Sequence, residues 1–425
     1  MTDVLVVLIG TSVAGTLSRG SDGRLRFEYD DDYRAQPNAT PISVSMPIEI
    51  RSHSDRVVTP WLWGLLPDND AVLARWARQF HVSLSSPFAM LATPVGEDCA
   101  GAVRFVAADD VERVVARPGS VAWLTADDVA ARLRELRADN TAWLGSTFAG
   151  QFSLAGAQAK TALLYEDGRW GVPSGAAATT HILKPAIVGF DDHDLNEHLC
   201  LDAARRAGLV VARTRVETFG DLSAVVVDRY DRARIRGKLN RVHQEDLCQA
   251  LGRHPSEKYQ AQGGPSATDI VDLIRRLMPP RIADESILRF VDALAWNWLI
   301  AGTDAHAKNY SLLLAGDEIR LAPLYDVASA LPYRIAEQKL HLAMELGGEY
   351  RLRAHTANTW KRVAKELRLE TDALIERVRH LASVLPDVFS EAIASPDIAG
   401  LASELPIRLL DAVAIRAQKS LRLVA

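Results

Sequence analysis

Asp304, Asn309 and Asp326 are the residues of this sequence whose types and spacing could do chemistry. The first two bracket the end of Gly302-Thr303-Asp304-Ala305-His306-Ala307-Lys308-Asn309, and Tyr325-Asp326 follows one hairpin later. Three hard oxygen donors suit Mg²⁺, which bridges the anionic oxygens of a nucleotide such as ATP. One carboxylate must stay free to take the proton of an attacking hydroxyl. Asp304 is assigned that role, with Asn309 and Asp326 as metal ligands. Asp-x4-Asn is the spacing of the protein-kinase catalytic loop, where a second metal-binding Asp follows. Taken alone, the same residues make ordinary turns. Their place between an apolar helix expected over 290–300 and a hairpin over 310–325 is what favours phosphoryl transfer.

Such a reaction also needs a phosphate cradle and a lysine, and both lie upstream. Phe152-Ser153-Leu154-Ala155-Gly156-Ala157-Gln158-Ala159-Lys160 is a small-residue loop feeding a strand over 161–165. Small side chains let backbone N–H groups approach phosphate oxygens closely. The loop matches neither G-x-x-x-x-G-K-[ST] nor G-x-G-x-x-G, so by itself it reads more simply as an ordinary tight turn. Lys184 closes the β-rich run Thr180-His181-Ile182-Leu183-Lys184-Pro185. Asn196-Glu197 opens an amphipathic helix, which places Glu197 to pair with Lys184 and fix it. A buried-type strand over 224–227 runs into Asp228-Arg229-Tyr230-Asp231, the expected hinge against an adenine. Loop, lysine, glutamate, hinge, catalytic Asp and metal Asp stand in the order found in kinases.

The elements that must position these groups divide the chain. At 425 residues it is too long for one ordinary core. Residues 1–112 are read as a β-rich subdomain, opening on a hairpin of strand Val4–Ile9 and a second strand over 13–17. Within it one helix is expected over 69–80, where Ala71, Val72, Leu73, Trp76 and Phe80 recur at helical spacing. Residues 113–230 form a kinase-like N-lobe, entered through a helix capped at Thr125. Residues 231–425 form a helical C-lobe interrupted by the hairpin at 310–325. The fold class is therefore α+β: a two-lobed, protein-kinase-like fold with an additional N-terminal β-rich subdomain and a mostly helical C-lobe.

Composition narrows the partners. A net charge of −5 offers no general attraction to nucleic acid. Three widely spaced cysteines, Cys99, Cys200 and Cys248, fit neither a disulfide framework nor a zinc site and suit a reducing cytoplasm. The apolar start lacks a basic n-region and breaks at Gly10-Thr11-Ser12, so it is not a secretion signal. No run approaches the roughly 20 apolar residues that cross a bilayer. A cytoplasmic location without membrane contact is expected.

At this point the sequence resembles the HipA-type toxin kinases of bacterial toxin–antitoxin modules. The matching segments include Ile42-Ser43-Val44-Ser45-Met46-Pro47, Leu65-Leu66-Pro67-Asp68, Ser153-Leu154-Ala155-Gly156-Ala157-Gln158 and Gln244-Glu245-Asp246-Leu247-Cys248-Gln249. They continue through the Lys184 and Asp304–Asn309 motifs to Tyr325-Asp326, nearly end to end. Ala305 stands where the family usually has Gly, a difference of one methyl group. The resemblance implies a serine/threonine-protein kinase that phosphorylates a translation component, notably an aminoacyl-tRNA synthetase such as glutamate–tRNA ligase, and so arrests growth. It implies neutralisation by a HipB-type helix-turn-helix antitoxin, through which operator DNA is mainly reached. Carried over by motif, Ser153 is the autophosphorylated serine. Ala155, Gly156, Ala157, Gln158, Ala159 and Lys160 form the ATP loop. Lys184, Asp228, Arg229 and Tyr230 contact nucleotide, as do His306, Ala307, Lys308, Asn309, Tyr325 and Asp326.

Other features have plainer readings. Arg232, Arg234, Arg236, Lys238 and Arg241 form a basic stretch read as a solvated loop. Trp61, Trp63, Trp296 and Trp298 are read as packing residues. Two rivals stand beside the toxin kinase: a small-molecule kinase of the same fold, and an antitoxin-binding pseudokinase. The intact Lys184, Asp304, Asn309 and Asp326 set argues against the second.

Overall fold

The computed structural model describes residues 3–146, 150–187, 189–333 and 335–425. The N-terminal part is built on a five-stranded antiparallel sheet, in the order Ser52–Ser54, Leu25–Tyr29, Ser12–Arg19, Val4–Ile9, Val103–Ala107. Among the described residues four helices accompany it, Asp31–Arg34, Asp55–Gly64, Asp70–Phe80 and Pro87–Leu91, where one was expected. Val57, Val58, Thr59 and Pro60 read locally as strand and turn. Burying Val58, Trp61 and Leu62 along one face outweighs those weak preferences.

A second antiparallel sheet has six strands: Thr214–Phe219, Leu222–Asp228, His181–Pro185, Thr161–Glu166, Arg169–Ser174 and Ser120–Leu124. The Thr125 cap is a full capping box with Asp128. Both sheets drain into one core, in which Trp61, Trp76, Trp143, Phe152, Leu183 and Val226 are all buried. The C-lobe has its own core, built from Pro280–Ile300, Ala357–Leu367, Thr371–Ile393 and Leu405–Leu423. Helix His193–Arg206, which carries Glu197, buries Leu195, Leu199 and Ala203 in this second core. Glu197 is thus anchored in the C-lobe core while it faces the N-lobe sheet.

Several C-lobe strands escaped the sequence reading. His243–Asp246 pairs antiparallel with Ser311–Ala315, extending the expected hairpin to three strands. His341–Leu346 pairs with Glu349–Arg351 around Gly347. The first of these segments (Leu342, Ala343, Met344, Glu345) is rich in helix formers, so its propensity pointed the wrong way and tertiary pairing decided. Among the described residues no helix is long and apolar enough to cross a membrane.

The basic stretch is not the solvated loop expected. It forms a hairpin, Arg232–Ile235 with Lys238–Arg241, and two of its arginines turn inward. Arg232 Nη2 and Arg241 Nε reach Asp98 Oδ1 at 2.9 and 3.2 Å, while Arg229 Nη2 reaches Asp231 Oδ2 at 2.7 Å. Asp98 also accepts from Thr179 Oγ1 at 2.6 Å. Arg234 pairs with Glu166 at the surface, and Arg236 and Lys238 are exposed. Burial alone would raise Asp98, but Arg232, Arg241 and Arg229 hold it well below the usual carboxylate range. Its stabilising contribution is present above the unfolded value near pH ~4 and is lost as the pH falls towards the depressed folded value. Asp98→Ala leaves Arg241 without its carboxylate, and Arg229 and Arg232 with Asp231 alone. It should cost about 3–5 kcal/mol of unfolding free energy. A urea midpoint equal to wild type would contradict this account of the cluster.

Candidate active site

A cleft of about 670 Å³ opens between the six-stranded sheet and the C-lobe, a size suited to a small-molecule ligand. The residues singled out from the sequence line it, except Ala307 and Ser153. Ala307 is instead packed into the C-lobe core beneath the loop, so the expected nucleotide contact is not made by its side chain.

Lys184 sits on the strand that pairs Val225 on one side and Thr161 with Leu183 on the other, so its position is fixed by sheet register. Its Nζ lies 2.7 Å from Glu197 Oε1 and 2.7 Å from Asp326 Oδ1, with the side chain 7% exposed. Burial would lower this amine, but Asp326 and Glu197 hold it well above its ordinary value. Asp326 in turn is kept well below the carboxylate range by Lys184 and Lys160, against its burial. The Asp326 backbone has φ +57°, a left-handed conformation unusual outside glycine and characteristic of functional sites.

The segment that carries Asp304 and Asn309 leaves helix Pro280–Ile300 through Ala301 at φ +55°. Gly302 follows because a Cβ there would come within 2.2 Å of Asn297 Oδ1. Asn309 Nδ2 donates to the Asp304 carbonyl at 2.8 Å, so Oδ1 is the amide atom that could serve as a ligand. Tyr325 donates its hydroxyl to the Lys308 carbonyl at 2.7 Å and stands beside Ser311 Oγ at the same distance. Asp304 itself is exposed, and Tyr259 donates its hydroxyl to Asp304 Oδ1 at 2.5 Å. The Tyr259 ring is held edge-on to His306, centroids 4.9 Å apart. Burial lowers His306, leaving a neutral imidazole near pH 7.

The small-residue loop turns at Gly156, φ +102°, and Lys160 folds back to donate to the Ala155 carbonyl at 2.6 Å. Burial, then Lys184, pushes the Lys160 amine down to about 8. The N-terminal subdomain grips this loop. Asp68 N–H donates to Gly156 O at 3.0 Å, and the helix cap Asn69 donates to Ala157 O at 3.3 Å. Ser153 is fully buried and donates its hydroxyl to Leu65 O at 2.7 Å.

At the expected hinge, Asp228 meets His181 Nε2 at 3.1 Å, and the Tyr230 ring lies 5.6 Å from that of Tyr325. Tyr230 also hydrogen-bonds Gln244. Arg229, expected at the nucleotide as part of the hinge, lines the cleft. Its guanidinium is committed to Asp231, Thr179 and the Cys99 carbonyl in the buried cluster. Lys308 points to Asp68 Oδ1 at 2.5 Å, and Lys258 to Asp68 Oδ2 at 3.3 Å. Sequence reasoning had no role for Lys258, Tyr259 or Asp68. Asp68 was visible only within a family motif, and Lys258-Tyr259 sit in an irregular segment with no periodicity to mark them.

The residue set fits ATP with Mg²⁺. Asn309 and Asp326 offer hard oxygen ligands, and among the described residues no cluster of three His, Cys, Asp or Glu forms a metal cage. Mg²⁺ is commonly held by one or two protein oxygens, with water and phosphates completing its shell. Glu197 Oε2, His306 Nδ1 and Gln158 Nε2 are buried without a hydrogen-bond partner among the described residues, polar capacity that a ligand can use.

The HipA N-terminal domain family matches residues 5–106, and the HipA-like C-terminal domain family matches residues 152–389. Protein Y4mE of Sinorhizobium fredii, named as a candidate kinase, is 35% identical over 387 residues, covering 90% of this chain and 89% of its own. The serine/threonine-protein kinase toxin HipA of Shewanella oneidensis is 28% identical, covering 86% of this chain and 83% of its own. The solved complex of Shewanella oneidensis HipA, HipB and operator DNA superposes with a TM-score of 0.84 at 25% identity. That match covers 99% of this chain and 98% of the solved one.

Proposed function

Because the chain belongs to the HipA family of serine/threonine-protein kinase toxins, we propose that it transfers the γ-phosphate of ATP to a serine of a translation component. An aminoacyl-tRNA synthetase such as glutamate–tRNA ligase is the target class this reading favours, and a HipB-type antitoxin is the neutralising partner, bringing operator DNA with it. The observation that carries the kinase reading is the Glu197–Lys184–Asp326 chain of 2.7 Å contacts, which spans both cores beside Asp304 and Asn309.

Bound ATP supplies the γ-phosphoryl group, and Mg²⁺ supplies the counter-charge that makes its transfer feasible. Asn309 Oδ1 and Asp326 are the oxygens that would hold the metal. Lys184, steadied by Glu197, faces the phosphates, and the backbone amides of 155–159 cradle them. Tyr230 and Tyr325 flank the base beside the backbone of 228–230. Asp304 accepts the proton of the attacking serine hydroxyl, and Tyr259 holds one of its oxygens so that the other is presented to the acceptor. Residues 1–112, 113–230 and 231–425 serve as loop-gripping subdomain, ATP lobe and catalytic lobe. The test is to incubate the purified chain with Mg²⁺-ATP and a panel of aminoacyl-tRNA synthetases and map phosphoserine. Labelling of metabolites but of no protein would overturn the protein-kinase reading.

Ser153 completes the proposal as a self-inactivating switch. Its hydroxyl is buried against Leu65, so phosphorylation requires the loop to leave its seat. A phosphoserine carries a charge of about −1.5 to −2 and cannot return to that apolar pocket. The Ser153-modified protein, and Ser153→Asp, should bind ATP at least ~10-fold more weakly, as expected when several loop amides are withdrawn from phosphate. Phosphate mapped elsewhere, or undiminished affinity after modification, would count against the switch.

A further inference from the structure

We propose that Asp68 is a positioning residue for phosphoryl transfer, and that Lys258 and Lys308, which it holds, contact the transferred phosphate. The inference rests on the kinase reading, adds Asp68 and Lys258 to it, and gives Lys308, already expected at the nucleotide, a specific contact. Asp68 comes from the N-terminal subdomain, yet it joins three parts of the cleft. Its N–H holds Gly156 O of the phosphate loop at 3.0 Å. Its carboxylate holds Lys308 at 2.5 Å and Lys258 at 3.3 Å. Lys308 is the residue before Asn309, and Tyr325 is tied to its carbonyl. Lys258 precedes Tyr259, which holds Asp304, and its carbonyl accepts from Ala307 N–H at 3.3 Å. Shifting either lysine therefore shifts the groups around Asp304.

The make-up of this cluster separates it from a staple. The structural cluster at Asp98 uses arginines, whose planar forks suit fixed multidentate pairing. Asp68 holds two lysines, compact ammonium groups on flexible stems that can exchange one oxyanion for another. All three side chains line the same cleft as Asp304 and Asp326. Lys308 is also faced by the carboxylate of Asp246 and is almost fully buried, so it cannot swing into water to find another partner. A phosphoryl group entering between the loop and Asp304 meets two cations already collected at one point, with Asp68 fixing where they stand.

Asp68→Asn keeps the volume and the N–H to Gly156 but removes the charge that gathers the lysines. Turnover should fall about 100-fold, the scale expected of a misplaced reacting centre. The dissociation constant of Mg²⁺-ATP should be unchanged or tighter, because a negative charge has gone from beside a polyanion. Lys258→Met should lose turnover in the same way, to a smaller degree, and weaken Mg²⁺-ATP binding modestly at unchanged melting temperature. A merely structural lesion would instead lower turnover, ATP affinity and melting temperature together, and that pattern overturns the proposal, as does Asp68→Asn with wild-type turnover. Wild-type protein that binds ATP yet transfers nothing overturns the kinase reading itself, and this inference with it.

Discussion

Asp326→Asn is expected to abolish phosphoryl transfer and to weaken ATP binding, whereas Asp304→Asn is expected to abolish transfer and spare binding. The difference follows from what each carboxylate touches. Asp326 meets Lys184 Nζ at 2.7 Å and is the assigned metal anchor, so its replacement removes a ligand and a counter-ion at once. Asparagine tolerates the φ of +57° found there, so the fold should survive the change. Asp304 is exposed and touches the phenol of Tyr259, and the proposed nucleotide contacts do not include it. Loss of a general base costs about 10²–10⁴ in rate. Loss of the metal ligand should cost at least as much, plus affinity. Single-turnover transfer and equilibrium ATP titration, run on both variants, read the two effects separately. Wild-type turnover in either would remove that residue from the site.

Lys184 should be equally unforgiving. Lys184→Ala leaves Glu197, 1% exposed, without its cation and frees Asp326 from its closest partner. Nucleotide binding should weaken and activity should nearly vanish. Stranding a buried carboxylate also destabilises, by about 3–5 kcal/mol in comparable pairs, so the melting temperature should drop. Lys184→Arg should not restore activity. A planar guanidinium cannot take the place of a compact ammonium seated 2.7 Å from each of two carboxylates. Full activity in the arginine variant would mean that Lys184 lies outside the reaction centre.

What the sequence disclosed, and what it hid, follows from the range of the forces involved. The Lys184–Glu197 pair, and the convergence of Asp304, Asn309 and Asp326 on one cleft, were legible because each residue sits at a fixed offset from an apolar element. The hairpin after Asn309 was legible from its turn, and the Thr125 cap from local hydrogen bonding. The inward arginines were not. Arg232 and Arg241 look like any hydrophilic run until Asp98, more than a hundred positions earlier in the chain, is folded against them. The same holds for Asp68 with Lys308, and for Glu245, which takes Val44 N–H at 2.7 Å across the subdomain boundary. Burial pushes that Glu245 carboxyl up to about 8. The strand at His341–Leu346 was hidden for the opposite reason, since its local propensity is strong and misleading.

The central claim is that the Asp304, Asn309, Asp326 and Lys184 constellation moves a phosphoryl group from ATP to a protein hydroxyl. Its most direct test is incubation of the purified wild-type chain with γ-labelled ATP and Mg²⁺, with parallel samples containing chelator or carrying Asp304→Asn. The account predicts serine-linked label on protein in the wild-type sample, and none in the chelated or Asp304→Asn samples. Label of equal intensity in all three, or none in wild type despite measured ATP binding, would contradict it.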